Sequence, residues 1–188
     1  MDINALTHTG VNIESVLKTP VKISNTINGC EIKSLAIWDT GATNSVITKS
    51  AAQQLGLKAV SMAYVNGVHG GKFVNVYQVT ITLNNENISI TTRVTECEEL
   101  SATKDTALLI GMNIINMGDL CISNFEGKTV MTFRVPSLTR IDFVEELKLH
   151  NKYLKIHQLN VSQKRPDKCG CGSGKLYKNC HGNTPYSK

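Results

Sequence analysis

Residues 1–11 lack the parts of a secretory leader: there is no basic opening, no apolar centre and no small-residue cleavage site. No stretch is apolar for long enough to cross a bilayer. The nearest, 107–118, is short and carries two asparagines. These absences predict a soluble, cytoplasmic protein with no membrane partner. Low-complexity segments and long repeats are missing too. Charged residues make up 19% against 41% hydrophobic, which excludes a disordered or fibrous chain. A secreted disulfide framework is also unsupported. Cys30, Cys97 and Cys121 are scattered, whereas Cys169, Cys171 and Cys180 cluster beside His181. The scattered three are expected to be reduced thiols and the cluster a metal site.

What is present is enough for one real core and a small appendage: 188 residues, 20.6 kDa. The formal charge of +5 is unevenly placed. Residues 1–139 hold 10 basic and 11 acidic side chains, and residues 140–188 hold 10 and 4. The basic surplus belongs to the tail, which suits either a solvated basic helix or a polyanionic partner such as RNA or an acidic protein face.

Up to residue 136 the signals are mainly those of strands and turns. Residues 21–24, 74–83 and 88–94 alternate apolar and polar residues, with an Asn-rich turn at 84–87. Residues 34–38 form a nearly continuous apolar run, read as a strand covered on both sides. A turn at 126–128 separates candidate strands 121–125 and 129–135. Two short helices are expected, one over 48–55 with Thr48 as N-cap and Gly56 as stop, the other from 111–113 through Ile115. This is a mainly β domain, closed or folded over on itself. Residues 140–160 contain no Gly or Pro and set Val144, Leu147 and Leu154 near one face. They predict an amphipathic helix that packs on the β domain or across a dimer interface. A polar linker with Pro166 follows.

The apolar run ends in Asp39-Thr40-Gly41 and is followed by Ala42-Thr43-Asn44-Ser45-Val46-Ile47. Asp-Thr-Gly alone is an ordinary turn. Between a buried strand and a second apolar run, it becomes a positioned carboxylate with a glycine that permits close approach. Downstream stand Leu108-Leu109-Ile110-Gly111-Met112-Asn113, and between the two lies the Gly-rich 64–73. In that order these segments resemble the active-site loop, the second hydrophobic-Gly motif and the flap of retropepsin-like aspartic proteases. The resemblance covers about residues 11–136.

It implies the closed acid-protease fold and an endopeptidase that hydrolyses peptide bonds with no catalytic cofactor. Asp39, Thr40 and Gly41 would be catalytic, with Thr40 bracing the loop across a dimer. Ala42 and the flap residues Val68, His69, Gly70 and Gly71 would meet the substrate, although a loop histidine is more often simply solvent-exposed. Such chemistry needs two carboxylates that share a proton and hold one water. Asp105 and Asp119 lack the strand-to-glycine setting, so the second carboxylate is expected from Asp39 of another copy, making a homodimer. Met112 stands where viral members often carry arginine, and the chain extends beyond the strand those enzymes use to pair. Both departures bear on the dimer interface, not on the need for two aspartates. A dimeric adaptor that binds peptides without cutting them is the alternative. The only tryptophan, Trp38, is read as core packing.

In the tail, Cys169-x-Cys171 and Cys180-His181 offer four ligands for a closed tetrahedral zinc, with Gly170, Gly172 and Gly174 between them. The segment resembles the SEC-C motif, including Gly-Ser-Gly-Lys-x-Tyr-Lys, with Cys-His where many members have Cys-Cys. The resemblance implies a structural Zn2+ held by Cys169, Cys171, Cys180 and His181, with a role in docking to protein or nucleic acid. A closed site cannot activate water. The organisation expected is a protease domain over 11–138, a helical linker over 139–163 and the zinc motif over 164–184.

Overall fold

Alternating burial does most of the building in the first part of the chain. In the strand β2 (Lys18–Asn25), Val21 and Ile23 point inward while Lys22 between them is half-buried. The computed structural model describes residues 2–67, 70–101, 105–162, 168–176 and 179–180. They fall into two compact units, Met1–Thr139 and Arg140–Lys188.

The first unit is mainly β. Its remaining strands are β1 (Asn4–Thr9), β3 (Glu31–Trp38), β4 (Val46–Thr48), β5 (Ser61–Gly67), β6 (Gly70–Leu83), β7 (Ser89–Cys97), β8 (Thr106–Ile110), β9 (Asp119–Ser123) and β10 (Val130–Val135). Two short helices, α1 (Lys49–Gln54) and α2 (Met112–Ile115), interrupt them. Seven strands run in the order β2-β3-β8-β4-β7-β6-β5, and β2 also pairs with β6, so the sheet closes on itself. Closure satisfies backbone groups that an open edge would leave bare. A smaller sheet, β1-β10-β9, lies beside it. The core includes Ile23, Ile47, Val79, Ile81, Leu108, Ile110, Ile114, Met131 and Phe133, all fully buried.

Thr48 caps α1, its hydroxyl accepting from the Ala51 amide, and Gly56 follows the end of the helix with φ of +62°. Trp38 is indeed core. Its ring lies 5.0 Å from that of Phe133, tying β3 to the smaller sheet, and its indole N–H donates to the Thr19 hydroxyl at 2.9 Å.

Two features of this unit differ from the sequence reading. β1 lies ahead of residue 11. Its burial alternates, but of the inward positions Asn4, Leu6 and His8 only Leu6 is apolar, so the sequence shows no apolar alternation, and its ladder with β10 holds it. β3 is covered on one face more than the other: Ala36 and Trp38 are buried, while Leu35 and Ile37 are half-buried. Asp119, which lacks the strand-to-glycine setting, is an anchor. Its carboxylate accepts from the Arg134 guanidinium, the Ser137 hydroxyl and the Leu138 amide. The Ser137 hydroxyl first, and Arg134 next, hold that carboxyl well below the usual carboxylate range. A depressed folded value stabilises above the unfolded value and is lost as pH falls through the folded one, so mild acid leaves this anchor charged.

None of the six cysteines forms a disulfide. Burial, ahead of the opposing pull of Lys72, pushes the Cys97 thiol up to about 11. Iodoacetamide at about pH 8 is therefore expected to label Cys97 in the native protein roughly a hundredfold more slowly than in the urea-unfolded chain, as peptide mapping would read.

In the second unit, α3 (Phe143–Ser162) begins later than expected because Asp142 caps it. The Asp142 carboxylate accepts from the amides of Val144 at 3.1 Å and Glu145 at 3.2 Å. No helix among the described residues is long and apolar enough to cross a membrane.

Candidate active site

β3 delivers Asp39 to the surface, and its neighbour β8 holds the loop in place. The Asp39 amide donates to the Ile110 carbonyl at 3.0 Å, and Ala42 N–H returns to the Asp39 carbonyl at 3.3 Å. The Gly41 amide donates to Asp39 Oδ1 at 2.8 Å, which orients the carboxylate. Asp39 is half-buried, and Thr40 and Gly41 are exposed. A side chain at 41 would sit 3.1 Å from Asp39 Oδ1, so glycine keeps the carboxylate approachable.

The second hydrophobic-Gly motif lies directly behind this loop. Met112 N–H donates to the Ala42 carbonyl at 2.8 Å and Asn113 N–H to the Thr43 carbonyl at 3.1 Å. A Cβ at Gly111 would come within 2.6 Å of the Asn44 carbonyl oxygen and 2.8 Å of that of Ala42, so only glycine allows the two segments to meet. Ser45 is fully buried and completes the join. Its amide and hydroxyl both donate to Asn113 Oδ1 at 2.8 Å, and its oxygen accepts from the Gly111 amide at 3.0 Å. Asn113 also donates to the Thr92 hydroxyl at 3.4 Å.

Neither Ser45 nor Asn113 was picked out from the sequence as a site residue. The signal was only that a serine and an asparagine stand among apolar residues that must be buried. Asn113→Ala would strand two buried donors of Ser45 and is expected to cost about 1–3 kcal/mol, seen as a lower urea midpoint. Asn113→Asp keeps the acceptor and should lose less.

β5 and β6 form a hairpin whose last described pair is Gly67 with Gly70. Val68 and His69, expected to touch substrate, lie outside the described residues. Gly70 takes φ of +103°. Gly71 lies under the Tyr64 ring, since a Cβ there would fall 2.2 Å from the Tyr64 hydroxyl oxygen. Tyr64 meets Phe73 edge-on at 5.2 Å, and both rings, like Met62, remain mostly exposed. At the hairpin's base Tyr77 donates to the Glu96 carboxylate, and Asn75 donates to Glu96 at 3.4 Å, stapling β6 to β7.

Of the other aspartates, Asp119 is committed to Arg134. Asp105 lies 3.6 Å from the Lys18 ammonium and accepts from the Thr106 hydroxyl.

The second unit brings together Cys169, Cys171 and Cys180, whose sulfurs all lie within 4.8 Å of one another. Cys169 N–H donates to the Lys175 carbonyl at 2.7 Å, closing a tight turn with Gly172 and Gly174 at φ of +78° and +71°. Cys171 and Cys180 sulfurs are 3.6 Å apart. Two thiolates on one tetrahedral zinc stand about 3.8 Å apart for bonds of about 2.3 Å, so the cluster fits the ion. His181 lies outside the described residues.

A strand-borne Asp-Thr-Gly loop joined to a Gly-helix turn within a closed β domain defines a class, that of retropepsin-like aspartic proteases. Residues 23–117, half of the chain, match the family model described as gag-polyprotein putative aspartyl protease, and the chain belongs to that family. Among solved structures it is similar to the EIAV protease complexed with the inhibitor HBY-793, at 23% identity and a TM-score of 0.41, covering 55% of this chain and 88% of that one. It is also similar to a retropepsin-like aspartic protease from Rickettsia conorii, at 13% identity and 0.42, covering 72% and 97%. A third is the retroviral protease-like domain of Ddi1 from Leishmania major, at 20% and 0.42, covering 69% and 99%. No curated protein matches.

Proposed function

We propose that the chain is an aspartic endopeptidase that works as a homodimer, with one Asp39 from each copy. The observation that carries this reading is the Asp39 carboxylate, held by the Gly41 amide at 2.8 Å in a loop joined to Gly111 and Asn113. Family membership supports the reaction class. One such loop per chain supports the need for a second copy. In the pair, the two carboxylates share one proton. The ionised one takes a proton from the attacking water, while the protonated one polarises the scissile carbonyl.

Thr40 is assigned to bracing the loops across the two-fold axis, and Gly41 and Ala42 to the substrate backbone. The hairpin of β5 and β6, with Gly70 and Gly71 near its tip, is assigned to covering the peptide, together with Val68 and His69, which join the two strands in the sequence. The exposed Met62, Tyr64 and Phe73 would give that cover an apolar face. Cys169, Cys171 and Cys180, with His181 as the fourth ligand, would hold a structural Zn2+ that organises the tail and takes no part in hydrolysis. The tail's net charge of +6 favours docking to a polyanionic partner.

The test is cleavage of a diverse peptide mixture between about pH 4 and 7, read by mass spectrometry at concentrations where the protein is dimeric. Cleavage by wild type and silence from Asp39→Asn is expected. Silence from both, with peptide still bound, would transfer the reading to a peptide-binding adaptor.

A further inference from the structure

Phe143, Leu147 and Leu154 of α3 are 61%, 58% and 45% exposed. With His150 they are spaced four, three and four residues apart, and in the sequence the same spacing runs on to His157 and Val161. Alternate steps of four and three keep one stripe turned toward a partner helix over almost three heptads.

On the opposite side of α3, Lys148, Lys152 and Lys155, with Leu149, Asn151 and Tyr153, line a cavity of about 720 Å³ that Cys171 of the cysteine cluster completes. Cys171 therefore lies on the lysine side of α3, away from the exposed Phe143, Leu147 and Leu154. The positions beside the seam are Val144 and Asn151 on one flank and Glu146 and Tyr153 on the other, so Glu146 is its only charged neighbour. Most of the helix's charge therefore lies on the far side, away from the seam.

We propose that α3 pairs with α3 of a second copy as a parallel two-stranded coil along Phe143, Leu147, His150 and Leu154. The choice of a second copy rests on the two-aspartate reading, since a site with one Asp39 per chain already needs one. Parallel pairing sets leucine on leucine and His150 on His150, and in the sequence His157 falls on His157, so polar positions meet polar ones. Antiparallel pairing would set His150 against a leucine and leave its ring nitrogens without a partner. In the parallel pair Glu146 meets Asn151 of the second copy rather than a like charge. A 20-residue helix spans about 30 Å and makes a short coil. Linked to a catalytic interface on the same chain, each contact raises the effective concentration of the other.

The test uses the full chain and sedimentation equilibrium. Leu147→Asp with Leu154→Asp should raise the dimer dissociation constant at least tenfold, and the protein concentration for half-maximal cleavage should rise with it. Lys152→Glu, on the far side, should change neither. His150→Cys addresses the chance that the double variant merely melts the helix. Under mild oxidation its chains should join through the new thiols, and peptide mapping would find that link. A double variant that dimerises like wild type overturns the pairing. So does a wild-type dimer whose His150→Cys chains never join at that position, or a wild type that stays monomeric at every concentration reached. Failure of the protease reading looks different: the chains dimerise and cross-link through position 150, yet cleave no peptide.

Discussion

Asp39→Asn is expected to lower peptide cleavage at least a thousandfold while leaving the dimer and the melting temperature essentially unchanged. The asparagine is nearly isosteric, and its carbonyl oxygen can still accept from the Gly41 amide, so the loop keeps its shape. It cannot ionise to take a proton from water or protonate to polarise a carbonyl. The stoichiometry gives a sharper result. If each site needs one aspartate from each chain, mixing equal amounts of wild type and Asp39→Asn after exchange leaves roughly a quarter of the dimers intact. Activity should then fall as the square of the wild-type fraction. A site complete within one chain would keep half its activity, and that outcome would exclude the two-chain mechanism.

The second large effect concerns the tail. One zinc per chain is expected to co-purify, and a strong chelator or Cys171→Ser should remove it. So few residues cannot bury a core, and binding of zinc to peptides of this kind is worth about 10–16 kcal/mol at neutral pH, so the tail's fold should go with the metal. Amide resonances from residues 168–180 should collapse toward random-coil positions. The unfolding transition of Met1–Thr139 should stay where it was, because none of the three thiols belongs to that unit. Loss of zinc with no change in the tail's resonances would mean that the turn closed by Cys169 and Lys175 stands without metal.

Much of the architecture could be read from pattern because the pattern and its cause are the same. β2, β6 and β7 alternate in burial since each has one face on the core. The N-cap at Thr48 is a local hydrogen bond between neighbours in sequence, and so it is legible there. β1 was not legible, because its one buried residue, Leu6, makes no period; β10, more than 120 residues away, supplies the ladder. The start of α3 could have been placed better. Asp142 with Glu145 three residues later is a capping-box pattern within the longer stretch free of Gly and Pro.

The sequence by itself determined that an Asp-Thr-Gly would follow an apolar strand, that a second Gly motif would come some seventy residues later, and that three cysteines would lie close together. Chain order and local preference are enough for each. Only the tertiary structure decided that Gly111 must be glycine because the Ala42 and Asn44 carbonyls press against it, and that Asn113 holds buried Ser45 through a single oxygen. It also decided that Asp119 is tied to Arg134 rather than offered to catalysis. These contacts join residues far apart in the chain. Their energies arise from close packing and from buried groups finding partners, and neither leaves a periodic trace in the sequence.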